Sequence, residues 1–342
     1  MDQKSWWDHA VSRMLWLSGK VGPLFALFVV LLIFGSISPD KFFSTLNLGN
    51  VVGQTAVIAI AAIGMTFVII SAGIDLSVGS LVALAGVYAT MTMVKVAEMM
   101  PGHILIPIAA GIVVGLLTGA LCGLINGAVI TMGRLPPFIV TLGMLEILRG
   151  TALQSADGLP ITRLPRGFSQ IGNAMWTIPV GNTVIYLPYA LLILIPLAIL
   201  AWFLLKYTVF GMQVYAVGSN EQTARLCGVN VTKVKILVYI IGGITAGLAG
   251  ILHASRLNSG QPSEAVGMEL DIIAAVVVGG GSLMGGEGSI LGSVVGALII
   301  RFLRNGCVVV GVSPFVQRII IGLIIIAAVF IDQLRRRKLS EE

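Results

Sequence analysis

One carboxylate stands alone in a long uncharged region, because Asp75 is the only charged residue between Phe42 and Val94. An acid at the middle of a bilayer costs about 2.5–3.5 kcal/mol on insertion scales, so such a group has to face protein, water or a helix end. Asp is also a favoured N-cap, since its carboxylate accepts free N–H groups. Two interpretations stay open: Asp75 caps a helix that restarts after a break at Gly73, or the break lines a path for a polar solute.

Uncharged polar side chains also lie inside apolar runs. They can hydrogen-bond a neutral polar solute, although such groups more often hold helices together. With Asp75, the candidates for lining a translocation path are Gln54, Ser77, Ser80 and Asn126.

A second segment has the same pattern as the first break. Gly73-Ile-Asp-Leu-Ser77 and Gly285-Gly-Glu-Gly-Ser289 both have the form Gly-x-acid-x-Ser, and each lies between two apolar segments. Transporters are often built from internal repeats. We therefore expect two related helix breaks in a parallel repeat, with Gly73, Gly285, Gly286 and Glu287 as candidate gate residues.

The most polar internal stretch runs from Lys206 to Lys235. Asn220 suits the N-cap of a short helix that begins at Glu221 and closes at Gly228. A structured helix between two membrane spans is more than a linker, so this stretch predicts a docking surface. Its candidate residues are Asn220, Glu221, Ala224, Arg225 and Gly228.

Another acidic pair, Glu269 and Asp271, opens an apolar segment and follows a polar loop that contains Gln261. One interpretation is an external loop with a helix cap. The other is that Gln261, Glu269 and Asp271 contact an external partner.

Several kinds of chemistry have no motif in the sequence. The three histidines and three cysteines are isolated, and no CxxC pair occurs, so we expect neither a metal site nor a disulfide framework. Gly279 to Gly288 lacks the Lys-Ser/Thr that ends a phosphate-binding loop. We therefore expect that the chain does not hydrolyse ATP.

The composition of the chain predicts the kind of secondary structure that positions these residues. Of 342 residues, 57% are apolar and 11% are charged, against about 25% charged residues in soluble domains. This excludes a soluble enzyme, a disordered chain and a disulfide scaffold, and predicts an all-α polytopic membrane protein. The ten expected apolar segments, some short or broken, are about 21–37, 50–71, 76–94, 104–132, 137–153, 183–205, 236–254, 270–281, 289–303 and 314–331.

The positive charges set the orientation. The net charge is +6, and the cluster Arg335 to Lys338 closes the last apolar segment, so the positive-inside rule places the C-terminus in the cytoplasm. Ten crossings then place the N-terminus there too. We divide the chain into an interfacial helix at 1–20, one transmembrane domain at 21–334 with the loop 206–235, and a cytoplasmic tail at 335–342.

Glycines also recur at spacings that predict close helix packing. They form two groups: Gly111, Gly115, Gly119 and Gly123, then Gly242, Gly243, Gly247 and Gly250.

Three stretches in this order carry a family resemblance. They are Gly73–Ser80, the loop Ala216–Gly228, and Leu270–Gly286 with its run Leu-Asp-Ile-Ile-Ala-Ala-Val-Val-Val-Gly-Gly-Gly. Together they resemble the permease subunit of ATP-binding cassette sugar importers, and the ribose-permease type most closely. The likeness covers about Val21 to Asp332.

The resemblance implies a pair of permeases in the bacterial inner membrane, expected to be a homodimer, with a heterodimer as the alternative. Two ATP-binding subunits lie below it and a periplasmic sugar-binding protein above. Glu221 to Gly228 would sit in a groove of the ATPase, and only that partner would use ATP and Mg. No cofactor in this chain and no nucleic acid is implied, and the remaining partner is membrane lipid.

Two other classes are weighed against this one. An ion-coupled secondary transporter would use Asp75 or Glu287 as its coupling carboxylate, but it needs no docking helix. An intramembrane enzyme would need paired catalytic groups at membrane depth, and none is apparent in the sequence.

Overall fold

A computed structural model describes residues 22–181 and 183–340. The predicted interfacial helix at 1–20 and the last two residues of the predicted tail lie outside the described residues. The helices and strands, in chain order, are α1 (Gly22–Ile37), α2 (Pro39–Phe42), α3 (Thr45–Ile70), α4 (Val78–Met99), α5 (Leu105–Met132), α6 (Pro137–Ser155), α7 (Phe168–Asn173), β1 (Met175–Val180), β2 (Thr183–Pro188), α8 (Leu191–Tyr207), α9 (Val209–Ser219), α10 (Glu221–Leu226), α11 (Val231–Leu257), α12 (Met268–Val278), α13 (Ile290–Val310) and α14 (Pro314–Ser340).

The fold is that of a mostly helical, polytopic membrane protein. Among the described residues, five helices can cross a membrane by length and composition (α3, α4, α5, α11 and α13), and the pair α8–α9, bent by 71°, makes a sixth candidate. Other predicted segments form helices that are shorter or more polar. For example, α12 has only 11 residues, and α6 carries Glu146 and Arg149.

Helix α3 is the central column of the structure. Every residue from Thr55 to Ile70 is buried, as expected for a helix that is apolar on all sides. At 1.5 Å per residue its 26 residues span roughly 39 Å. One end of α3 contacts the strand β2 where Gly49 lies against Tyr186, and the other end contacts α9 where Ile70 lies against Gly218.

A glycine seam joins α5 to α11, which confirms the predicted close packing. Gly119 lies against the carbonyl of Gly243, and Gly243 lies against the carbonyl of Gly119, so neither position has room for a Cβ atom. Gly115 and Gly123 continue the seam along α5. The two backbones approach each other closely because the side chains are missing.

The all-α prediction is corrected by a hairpin. Strands β1 and β2 pair antiparallel, from Met175 with Pro188 to Val180 with Thr183. Their residues are rich in β-branched and aromatic types and flank Gly181, which is a strand signal. The predicted segment 183–205 therefore becomes helical only at Leu191.

The glycine seam makes a testable prediction. Gly119→Ala or Gly243→Ala should destabilise the protein by about 1–3 kcal/mol, because a methyl group must push two helix backbones apart. Thermal unfolding in detergent measures this loss. Gly143→Ala is the matched control, since open space surrounds that helical glycine. Equal unfolding temperatures for all three variants would contradict the packing described here.

Candidate functional site

The first predicted helix break is present between α3 and α4. After Ile70 the chain turns through Ala72, whose φ is +59°, and Gly73 N–H donates to the Val68 carbonyl at 2.9 Å. The predicted cap is shifted by two residues, because Ser77 occupies the N-cap position of α4. Asp75 instead forms a turn, since its Oδ1 accepts from the N–H of Ser77 at 2.8 Å.

A buried polar network holds this break together. Asp75, 4% exposed, also accepts from the Ser77 hydroxyl at 2.6 Å, and Asn126 of α5 donates to that hydroxyl at 3.0 Å. Thr141 of α6 donates to the carbonyl of Ile74 at 3.1 Å. The break is therefore tied to two neighbouring helices through side chains that are themselves inside the protein.

The second predicted break, between α12 and α13, lies directly against the first. Gly286 N–H donates to the carbonyl of Ile70 at 2.9 Å, and Gly285 contacts Ala72. Gly285 and Gly286 have positive φ, 83° and 76°, a conformation that residues with side chains rarely adopt. The carbonyl of Glu287 accepts from the N–H of Ser282 at 3.1 Å, closing the loop.

The end of α9 touches both breaks at once. A Cβ atom on Gly218 would overlap the Ile70 carbonyl and would lie 2.7 Å from the nitrogen of Gly286. Tyr215, one turn earlier, donates from its hydroxyl to the carbonyl of Gly288 at 2.8 Å. Helix α9 thus connects the two breaks to the segment that follows it.

That segment is the predicted short helix, and its form is confirmed. Asn220 caps α10 by accepting from the N–H of Thr223 at 2.9 Å, and Gly228 follows the helix with φ +84°. Glu221 pairs with Arg225 at 3.1 Å and with Lys235 at 2.6 Å. The hydrogen bond from Lys235 keeps the pKa of the Glu221 carboxyl below its usual value.

The exposed face of α10 is partly apolar. Ala224 is buried against the protein, whereas Leu226 is 89% exposed. Glu221, Gln222, Arg225 and Leu226 line one open, shallow cavity. A single exposed leucine is ordinary on a protein surface, so the docking role of α10 stays a prediction.

Comparisons with known proteins identify the family of the chain. Residues 47–329 match the family described as branched-chain amino acid transport system / permease component. The chain belongs to this permease family. It is 43% identical over 307 residues to the ribose import permease protein RbsC of Haemophilus influenzae, with 90% of this chain and 91% of that protein covered. It is 41% identical to the proteins of that name from Escherichia coli K12 and Bacillus subtilis, over 90% and 92% of this chain and 92% of each relative. No solved structure matches the chain.

Family membership settles the class of the protein. The chain is the membrane-embedded permease component of a multi-component transport system, and it is a translocation subunit rather than an enzyme.

The predicted path residues of this permease do not form one site. Asp75, Ser77 and Asn126 belong to the buried network, and Ser80 is buried in the first turn of α4. Gln54 is exposed on α3, roughly 24 Å along the helix from Ile70. Their role in lining a path remains a prediction.

The residues predicted to contact an external partner, Gln261, Glu269 and Asp271, do not lie together in the structure. Gln261 follows Gly260, whose N–H and carbonyl pair with Ile161 of the loop after α6. From there the chain descends into the helix bundle, where Glu269 contacts Gly79 at the start of α4. Asp271 is 5% exposed and accepts from Arg304 of α13 at 2.7 Å.

Sequence reasoning missed several residues of these sites. Arg301 and Arg304 lie in or beside the predicted segment 289–303, and a charged residue in an apolar segment is a known sign of function. Tyr239 lies against Gly73 with its hydroxyl buried. Only its polar hydroxyl in an apolar helix could have signalled it.

The Asp75 network predicts a difference between two substitutions. Asp75→Asn should retain most of the stability and transport of the permease, because an amide oxygen can still accept from both Ser77 groups. Asp75→Ala should destabilise the protein by about 1–3 kcal/mol, because it leaves buried donors unsatisfied. Thermal unfolding and solute uptake distinguish them. If Asn were as damaging as Ala, the negative charge itself would be required.

The contact of α9 with the breaks makes a second prediction. Gly218→Ala should lower the unfolding temperature and slow transport, because the added methyl group displaces the Ile70 carbonyl and Gly286 together. Gly150→Ala on α6 has open space around it and serves as the control. Unchanged transport by both variants would contradict a role for this contact.

Proposed function

We propose that the chain is the translocation subunit of an ATP-driven importer of ribose or a similar monosaccharide. The relatives reported above are named for ribose import, and they cover nearly the whole chain at 41–43% identity. The observation that carries the mechanism is the contact of Gly218 with both helix breaks, immediately before α10.

In this mechanism, α10 docks on a separate ATP-binding subunit through Leu226 and the charged residues beside it. Residues 220–228 move with the ATPase when ATP binds and is hydrolysed. Because α9 ends at Ile70 and Gly286, this movement shifts both breaks together. Transport then follows from the different contacts made in the two states. The permease needs no cofactor of its own, since ATP and Mg belong to the partner.

The proposed assembly has two copies of the permease in the bacterial inner membrane and a periplasmic sugar-binding protein above them. We place ten crossings in each copy and both termini in the cytoplasm. The crossings beyond the six candidates are supplied by α1, α6 and α14, and by α12 together with the segment that leads into it. The adjacent breaks support a parallel repeat, because Gly73 and Gly285 both lie near Ile70.

The docking role of α10 is tested by Leu226→Asp. In proteoliposomes containing the ATP-binding subunit and the binding protein, we expect ribose uptake to fall at least about tenfold, because burying a leucine contributes about 1.5–3 kcal/mol to an interface. Association of the permease with the ATPase should fall in parallel.

The matched control is Leu159→Asp, which places the same charge at a 66% exposed leucine outside α10. It should leave uptake unchanged. Normal uptake by Leu226→Asp would refute the docking role of α10. Uptake by the permease alone, driven by an ion gradient, would refute the ATP-driven importer.

A further inference from the structure

Helix α12 begins inside the helix bundle rather than at its surface. Gly260 lies against Thr90 just past the middle of α4, whereas Ala265 and Glu269 lie against Gly79 near its start. These two contacts are separated by roughly 16 Å along α4. The chain between Gly260 and Glu269 therefore descends into the bundle.

An arginine holds the descending segment in place. Arg149 of α6 donates to the carbonyls of Pro262 and Glu264 at 2.7 and 2.6 Å. The side chain of one helix thus satisfies two carbonyls of a loop that has no regular secondary structure of its own.

A polar cavity of about 360 Å³ lies where α12 begins. This volume is in the range of about 300–1,000 Å³ that is usual for small-molecule sites. The cavity is open, since Glu264 is 44% exposed on its rim. Its charged and titratable side chains come from several different elements and are His253, Glu264, Asp271, Arg301, Arg304 and Arg318.

The cavity contains polar atoms that lack a hydrogen-bond partner among the described residues. They are Nε of Arg301, Nε of Arg304 and Nε2 of His253, all three buried, and the last lies 3.8 Å from a carboxylate oxygen of Glu264. Arg304 uses another nitrogen for Asp271, but the guanidinium of Arg301 makes no hydrogen bond to any described residue. Buried polar groups are nearly always satisfied, so several unsatisfied groups around one cavity point to a ligand.

The chemistry of the lining indicates which ligand fits. Guanidinium groups only donate hydrogen bonds, and carboxylates only accept them. An anion would be repelled by the carboxylates of Asp271 and Glu264, and a cation would be repelled by the three arginines. A neutral polyhydroxylated molecule suits both sets, because each hydroxyl group donates and accepts.

We propose that this cavity binds a monosaccharide during translocation, with Arg301 donating to the sugar and Asp271 and Glu264 accepting from it. The proposal rests on the proposed function and adds where the solute is held. It assigns Asp271 to the solute route, in contrast to the predicted contact with an external partner.

The test measures binding of radiolabelled D-ribose to the wild-type permease in lipid nanodiscs, with inorganic phosphate as a competitor. Arg301→Met should weaken ribose binding roughly 10- to 100-fold, the loss expected for a charged hydrogen bond. It should remain folded, since Arg301 has no hydrogen bond to lose among the described residues. The matched control is Arg166→Met, an exposed arginine outside the cavity. Phosphate should not compete.

A second variant fills the cavity without removing a polar group. Val266 lines it and is 67% exposed, so Val266→Trp can be accommodated at its mouth and should abolish ribose binding. The proposal is wrong if the wild-type permease does not bind ribose, if phosphate displaces it, or if both cavity variants bind ribose like Arg166→Met. Ribose uptake by the wild-type importer in the same preparations separates this failure from failure of the proposed function.

Discussion

The carbonyl at the end of α3 is the constraint on which the architecture depends. The last carbonyls of a helix have no partner within the helix, and inside a buried column they cannot reach water. At Ile70 the partner is the N–H of Gly286, from a loop more than two hundred residues later in the chain. This bond requires a bare backbone at Gly218, because a side chain there would occupy the same space. The end of α3, the loop before α13 and the end of α9 are therefore fixed together.

In this arrangement, few contacts separate α10 from the two helix breaks. A helix of six residues, α10, projects from the end of α9, and the pair of Glu221 with Lys235 joins it to the first turns of α11. In the proposed mechanism, movement of α10 reaches α11 through this ion pair and reaches both breaks through Gly218. Close contacts between backbones transmit displacement well, since packed interiors have little empty space to absorb it.

Local features could be predicted from the sequence, and contacts between distant segments could not. The break at Gly73 and the capped helix after Asn220 depend on neighbouring residues, so their spacing was sufficient. The hairpin at 175–188 also had a local signal, but its apolar residues resemble the start of a membrane span. The meeting of Ile70, Gly218 and Gly286 depends on tertiary packing, and no periodicity in one segment indicates which other segment it will touch.

The position of α12 inside the helix bundle is another feature that the local sequence could not predict. Glu269 and Asp271 follow a polar loop, and in sequence this pattern is typical of a helix that starts at the membrane surface. The structure places these carboxylates beside α4 and α13, where Gly79 leaves room for Glu269 and Arg304 pairs with Asp271. The small residue and the arginine lie far away in sequence, yet they give Glu269 its space and the buried Asp271 its ion-pair partner. Paired charges at depth are costly to maintain, so their presence beside an open cavity is better explained by a polar solute than by stability.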